Sequence, residues 1–173
     1  GYSLNYAFEA TDNLTFTILG YYNDYARNWF KLDGGNAYVS AANNGDAEAL
    51  AILRGTQDEA GLNYKNNNRA YESKGIEANA QFALGTHNLE VGVRDHSDEM
   101  DRFQPVEIYD QVNGSLVYQG EVMPTGGNNR LEGADAISFW LTDRWQATED
   151  LNVHFALRYE DVESYRNQFA DTA

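Results

Sequence analysis

Two short alternating segments decide the fold, "IEANAQFAL" at 76–84 and "LEVGV" at 89–93, with "GTHN" between them at 85–88. Apolar side chains occupy every second position of both segments, as at Ile76 and Val91. Because successive side chains of a strand point to opposite faces, each segment predicts a strand with one apolar and one polar face. If the apolar face packs on a protein core, this is a soluble β protein, and if it faces lipid, this is a membrane barrel.

The composition excludes several classes of protein. The 173 residues carry a net charge of -15, which argues against DNA or RNA binding, since neutralising phosphates needs an excess of Lys and Arg. Without Cys the chain has neither a disulfide framework nor a thiolate metal site. No run of about 18 apolar residues exists, so no transmembrane helix is predicted. The chain has no initiating Met and starts inside a patterned segment, and we therefore expect a fragment or a processed chain.

Six strands are predicted, joined alternately by short turns and long connections. The strands are 2–9, 14–31, 70–84, 89–104, 134–147 and 151–166. Asp, Asn and Gly favour turns at 11–13, 85–88 and 148–150, whereas the connections 33–68 and 105–133 are long and polar. The strict alternation of short and long connections places all short turns on one side of an antiparallel meander. Within the first long connection, "AEALAILRG" at 47–55 predicts a short helix.

The apolar positions cluster beside the short turns. They are Leu14, Phe16, Ile18, Ile76, Ala78, Ala80, Phe82, Leu84, Leu89, Val91, Val93, Ile137, Phe139, Leu141, Leu151, Val153, Phe155 and Leu157. The strands exceed the usual five or six residues and become charged towards the long connections. A lipid-facing band with aromatic residues near its ends and a polar interior has this pattern, and we therefore predict an all-β, antiparallel, up-and-down transmembrane β-barrel segment. A soluble antiparallel sheet with one solvated face is the alternative.

Three stretches resemble barrel strands of TonB-dependent outer-membrane receptors. They are "LTFTILGYYNDYARNWFKLD" from residue 14, "YESKGIEANAQFALGTHNLEVGVRDHSDEMDRF" from residue 71 and "ISFWLTDRWQATEDLNVHFALRYEDVES" from residue 137. The "GIE" strand, the tight turn, the "VGVR" strand and the "RYE" run are recurrent in that family. The likeness is greatest to receptors of the ferric-siderophore and ferric-dicitrate type.

The resemblance implies a fold, a location and a set of partners. Residues 1–173 are expected to be part of a single β-barrel domain, a slice of about six consecutive strands from a barrel of about 22. The plug domain and the remaining strands of that family are absent from this chain. The implied function is transport of an iron chelate across the bacterial outer membrane. The implied partners are the lipid bilayer, lipopolysaccharide and an inner-membrane energy-coupling protein that acts through the plug.

The remaining sequence offers no support for an enzyme, a metal site or a cofactor. It has no Ser-His-Asp order, nucleophile elbow or glycine-rich phosphate loop. His96, Asp98 and Glu99 in "HSDE" are a conceivable metal set, but a solvated strand end accounts for them more simply. We therefore predict neither metal nor cofactor.

Five arginines are candidates for a ligand that carries carboxylates, because a guanidinium forms forked hydrogen bonds with such groups. They are Arg94, Arg102, Arg130, Arg144 and Arg158. Arg102 and Arg130 are the predicted ligand-binding residues, since they lie near the long connections where a ligand arrives. The abundant acidic residues repel anions and leave the charge of the ligand open. A passive porin-like channel and a soluble β-rich binding protein remain the alternative functions.

Overall fold

The computed structural model describes residues 1–170 and shows an eight-stranded antiparallel sheet with two short helices. The elements are β1 (Tyr2–Thr11), β2 (Leu14–Leu32), α1 (Gly35–Asn43), α2 (Ala47–Leu53), β3 (Glu59–Leu84), β4 (His87–Phe103), β5 (Val106–Val112), β6 (Ser115–Val122), β7 (Gly126–Gln146) and β8 (Asn152–Phe169). The main strand order is β1-β2-β3-β4-β7-β8, and β5 pairs with β3 and β6. The all-β, up-and-down class predicted from the sequence is confirmed, whereas closure into a barrel and its total strand number stay predictions.

The long connections were predicted wrongly as loops. β3 begins at Glu59 and β7 at Gly126, so both strands reach far into the segments 33–68 and 105–133. The second segment also contains the β5–β6 hairpin, which raises the strand count of this chain from six to eight. Asn113 and Gly114 turn this hairpin with φ of 48° and 78°, the left-handed pair that a tight type I′ turn requires.

The helix predicted at 47–55 is present as α2, while α1 was not predicted. Asp46 caps α2, since its side chain accepts hydrogen bonds from the backbone N–H of Glu48 at 3.0 Å and Ala49 at 3.1 Å. Gln111 of β5 anchors this region, because its Nε2 donates to the carbonyl of Ile52 at 2.9 Å and to that of Gln57 at 2.8 Å.

Neither helix within residues 1–170 is long and apolar enough to cross a membrane.

The chain divides into two compact units. The first unit comprises Gly1–Tyr25, Tyr71–Met100 and Glu132–Arg166, and the second comprises Ala26–Ala70, Asp101–Leu131 and residues 167–170. All three short turns belong to the first unit, as the alternation of connection lengths predicts. Both helices and the β5–β6 hairpin belong to the second.

The first unit places apolar side chains outside. Its apolar face carries the predicted period-two positions, and the side chains of Phe16, Val91, Phe139 and Phe155 on it are all exposed. On the opposite, polar face Ser138 is fully buried. A soluble sheet covers its apolar face with a second layer, and no such layer is present in the described part of this unit. The first unit therefore leaves its apolar face uncovered.

Aromatic rings cover three glycines of the first unit from the neighbouring strand. Trp140 of β7 lies across Gly92 of β4, and Tyr21 of β2 lies across Gly75 of β3. Tyr165 of β8 covers a third, Gly133 of β7, where an added Cβ would be 2.7 Å from the tyrosine hydroxyl oxygen. These pairs are a packing reason for glycine in strands, where the residue is otherwise unfavourable.

Substitution of Gly92 by Ala tests the packing of Trp140. A Cβ on Gly92 overlaps the indole ring, so we expect G92A to lower the free energy of unfolding by about 1–3 kcal/mol through overpacking. The measurement is urea unfolding followed by tryptophan fluorescence.

Gly20 of β2 is the matched control, since nothing lies within 4 Å of a Cβ built there. G20A is expected to be neutral or slightly stabilising. Equal losses in G92A and G20A would contradict the role assigned to the ring.

Candidate functional site

The second unit presents two chemically different faces. Phe30 stacks on Tyr64 with ring centroids 5.2 Å apart, and this contact defines the aromatic face. Side chains alternate along a strand, so Arg27, Trp29 and Lys31 of β2 lie on the opposite face. We call this opposite face the cationic face. Its positively charged residues are Arg27, Lys31, Lys65, Arg69, Arg102 and Arg130.

Contacts between neighbouring strands assign the other four cations to this face. Lys65 Nζ of β3 donates to Asn128 Oδ1 of β7 at 2.9 Å. Gln104 Nε2, just after β4, donates to Asn67 Oδ1 of β3. Arg69, Arg102 and Arg130 each lie two positions from one of these residues and therefore share their face.

Arg102 and Arg130, the two predicted ligand-binding residues, come together in the structure. Nη1 of Arg102 donates to the backbone carbonyl oxygen of Gly127 at 3.2 Å, and Nη1 of Arg130 donates to the same oxygen at 3.1 Å. One carbonyl thus accepts from two guanidinium groups on adjacent strands. The result is a local concentration of positive charge that their positions in the sequence do not show.

Few acidic residues lie beside these arginines. Glu132 of β7 is one of them, since it lies two positions after Arg130 on the same face of the strand. Within the described stretches 26–32, 63–70, 101–104 and 127–131, the only acidic residue is Asp101. Asp101 precedes Arg102 in β4 and therefore points to the aromatic face. The cationic face of these stretches carries no carboxylate, although the whole chain has a net charge of -15.

The base of the cationic face is polar and tightly packed. Gln104 is only 2% exposed, and its backbone N–H donates to the carbonyl of Asn128 at 3.0 Å. Trp29 stands out from the same face with 58% of its surface exposed, and the guanidinium carbon of Arg27 lies 4.2 Å from its ring centroid. The packed amide groups, together with the neighbouring cations and the indole of Trp29, suit the binding of a planar anion.

Sequence reasoning missed Lys65, which lies in the segment 33–68 read as a loop, and Arg69, which lies just before the strand predicted at 70–84. The available signal was the "NYKNNNRAY" stretch at 63–71, in which Tyr64, Lys65 and Arg69 continue the strand pattern upstream of residue 70. Its three consecutive asparagines disfavour a strand by propensity, and the pairing of β3 with β2 and β4 in the sheet overrides that preference.

The other candidate arginines lie on the polar face of the first unit, among partners. Arg158 Nη2 donates to Ser138 Oγ at 3.0 Å and to Glu160 Oε1 at 2.9 Å. Arg94 Nη2 donates to the hydroxyl of Tyr21 at 2.7 Å. Arg144 borders a small polar cavity near the short turns. The paired arginines stabilise the polar face through a network of side-chain hydrogen bonds and ion pairs.

The "HSDE" stretch does not form a metal site in the described residues. His96 Nε2 lies 2.7 Å from Asp98 Oδ2, and its Nδ1 contacts the hydroxyl of Tyr21. Glu99 points to the other face, where it accepts a hydrogen bond from Tyr165 at 2.8 Å. No group of three His, Cys, Asp or Glu side chains within residues 1–170 has the geometry of a metal site.

A groove of about 770 Å³ lies in the first unit. Its lining includes Asp98, Glu132 and Arg166, with Tyr71 and Met100 beside them. Arg166 Nε pairs with Glu132 Oε2 at 2.9 Å, and Asp98 is held by His96. The cationic face of the second unit is the better candidate site, because it gathers several Lys and Arg side chains on one face.

Comparisons with known proteins show the fold. No protein-family model matches the chain, and no curated protein matches it. Among solved structures, the chain is similar to the ferric citrate transporter FecA in its unliganded form, with 20% sequence identity and a TM-score of 0.58. The match covers 96% of this chain and 21% of that one, so the chain spans about a fifth of the transporter's length. This likeness supports a β-barrel-related fold.

Glu107 on the aromatic face provides a pH-dependent reporter of the second unit. Its carboxylate accepts hydrogen bonds from Tyr109 and, at 2.6 Å, from Asn66 Nδ2, and these bonds lower its pKa from the ordinary value of 4.5. The same bond raises the pKa of Tyr109. A carboxyl whose pKa is depressed by folding stabilises the fold above its unfolded pKa, and this contribution disappears as the pH falls through the lower folded pKa.

We therefore expect Y109F to raise the pKa of Glu107 towards 4.5, since the Tyr109 bond is the largest cause of the depression. Carbon-13 NMR titration of the labelled carboxyl measures this change. Tyr118→Phe is the control, because Tyr118 packs on Tyr109 without bonding to Glu107. An unchanged Glu107 pKa in Y109F would refute the assignment.

Proposed function

We propose that this chain is part of a bacterial outer-membrane β-barrel that imports an anionic iron chelate. The observation that carries the proposal is the cationic face of the second unit, where Arg102 and Arg130 converge on the Gly127 carbonyl among further Lys and Arg side chains. The likeness to a ferric citrate transporter supports the fold on which the proposal depends.

The first unit is the membrane-spanning part in this proposal. In hydrocarbon every backbone polar group needs an internal partner, and strands that pair on both sides meet this need. The apolar face contacts lipid and the polar face lines the lumen. The exposure of Phe16, Val91, Phe139 and Phe155 supports this orientation, because a continuous band of such side chains on one face of a sheet suits contact with lipid.

The second unit recognises the ligand through charge-assisted hydrogen bonds. Each arginine fork matches two carboxylate oxygens, and both forks also donate to the Gly127 carbonyl oxygen. A bound carboxylate accepts charge-assisted hydrogen bonds, which are stronger than hydrogen bonds to a neutral carbonyl. Iron is cargo within the chelate, and the residues named here contact the chelate's anionic groups.

Transport requires parts outside the described residues. We propose that an inner-membrane protein supplies energy through a plug domain, that residues 1–173 are a slice of a barrel of about 22 strands, and that lipopolysaccharide surrounds it. Uptake that stops when the proton-motive force is collapsed supports energised import. Uptake that continues supports a passive channel.

Lipid exposure is tested by a pair of neighbouring substitutions on opposite faces of β3. F82R places a cation in the apolar band, and we expect a loss of about 2–4 kcal/mol in folding free energy, the cost of Arg near the bilayer midplane. Q81R places the same cation on the polar face and is expected to cost little. The measurement is folding of each variant into phospholipid vesicles, and comparable losses would mean that protein covers both faces.

Ligand recognition is tested on the intact protein with ferric citrate as the probe. We expect R102A and R130A each to weaken binding by about 1.5–3 kcal/mol, the value of a hydrogen bond to a charged group. The loss should shrink as salt is added, because exposed charges are screened. Isothermal calorimetry at two ionic strengths measures both effects.

Arg54 provides the matched control, since it is an exposed arginine at the end of α2. R54A is expected to leave affinity unchanged. Unchanged affinity in R102A and R130A, with folding intact, would exclude the cationic face as the binding site. An equal loss in R54A would indicate a general effect of net charge.

A further inference from the structure

The aromatic face of the second unit holds a cluster of four rings that the proposed function does not use. Tyr109 of β5 is at its centre, with ring centroids 6.2 Å from Phe30, 5.5 Å from Tyr64 and 5.7 Å from Tyr118. The contacts of Tyr109 are edge-to-face, while Phe30 and Tyr64 are stacked. Four strands, β2, β3, β5 and β6, therefore contribute to one aromatic surface.

The rings at both ends of the cluster are open to the surroundings. Phe30 is 48% exposed and Tyr118 is 55% exposed. Cross-strand aromatic pairs stabilise a sheet, but this role does not require large exposed ring surfaces at both ends of the cluster. Contiguous exposed apolar surface of this kind marks an interaction site more often than an isolated exposed residue does.

A chain of polar side chains borders the rings. Asn28 Nδ2 donates to Asn66 Oδ1 at 2.8 Å, and Asn66 Nδ2 donates to Glu107 Oε1 at 2.6 Å. Glu107 also accepts the hydroxyl hydrogen of Tyr109. These bonds hold two amides and a carboxylate in fixed positions beside the rings. Binding of a ligand therefore requires little further ordering of these side chains.

The charge of this face restricts its partner. In the described stretches 26–32, 62–70, 101–112 and 115–122, every Lys and Arg belongs to the cationic face, whereas Asp101 and Glu107 lie on the aromatic face. A phosphate or other polyanion would meet carboxylates without any cation, which disfavours it. A neutral ligand rich in hydroxyl groups meets no such repulsion.

We propose that the aromatic face binds a neutral saccharide. A pyranose ring has C–H bonds of partial positive charge on its flat faces, which complement the negative face of an aromatic ring. Its hydroxyl groups lie around the rim, where amides and a carboxylate donate and accept hydrogen bonds. Phe30 and Tyr118 stack on sugar rings, and Asn28, Asn66 and Glu107 bind the hydroxyls.

The test uses the intact protein in a detergent without a sugar headgroup, with maltoheptaose as the probe. Saturation-transfer NMR is expected to show transfer to the sugar ring protons. Each of F30A and Y118A is expected to weaken binding about fivefold, roughly 1 kcal/mol at 1.4 kcal/mol per tenfold. Tyr118 lies in β6, which pairs only with β5, so its truncation leaves the main sheet intact.

Trp29 is the matched control, because it precedes Phe30 in β2, is 58% exposed and lies on the cationic face. W29A is expected to leave maltoheptaose binding unchanged, and F30A and Y118A to leave ferric citrate affinity unchanged. Absence of saturation transfer at millimolar sugar would overturn the proposal, as would an equal loss in W29A. Displacement of the sugar signal by hexalysine, with tighter binding of that peptide, would assign the face to a basic peptide instead.

Discussion

Pairing of each strand with its neighbours is the constraint on which the rest of this structure depends. Once the backbone groups are satisfied laterally, a side chain has only two directions available. Residues next to each other in sequence then face different surroundings. Phe82 and Gln81 differ in this way in the first unit, as do Asp101 and Arg102 in the second. A single sheet can therefore carry cations on one face and carboxylates on the other without an additional domain.

Much of the sheet could be predicted from the sequence because the signal is local. The alternation in 76–93 with its tight turn is a short-range pattern, and the two alternating segments lie in β3 and β4. The β5–β6 hairpin was missed although "VNGS" at 112–115 contains Asn-Gly, a strong turn signal. Its strands are short and polar residues surround them. The polar composition therefore led to the prediction of an exposed loop, despite the turn signal.

The candidate site was only partly predictable, because it depends on pairing across the sheet. Arg102 and Arg130 were identified by their closeness to long connections, but their shared carbonyl follows from the adjacency of β4 and β7. Lys65 and Arg69 could not be assigned to a face before β3 was known to begin at Glu59. For the same reason, the convergence of Arg102 and Arg130 could not be read from the net charge of -15.

The rings that cover glycines also have a consequence for strand alignment. Alternation alone cannot distinguish the correct register from one displaced by two residues, since both keep apolar side chains on one face. Trp140 can distinguish them, because a displacement by two along β4 would bring it over Glu90 or Arg94 instead of Gly92. Tyr21 over Gly75 applies the same requirement to β2 and β3. Each glycine thus leaves space for its ring at a single alignment of the two strands. Together the glycines select one strand register among several that hydrophobicity alone would allow.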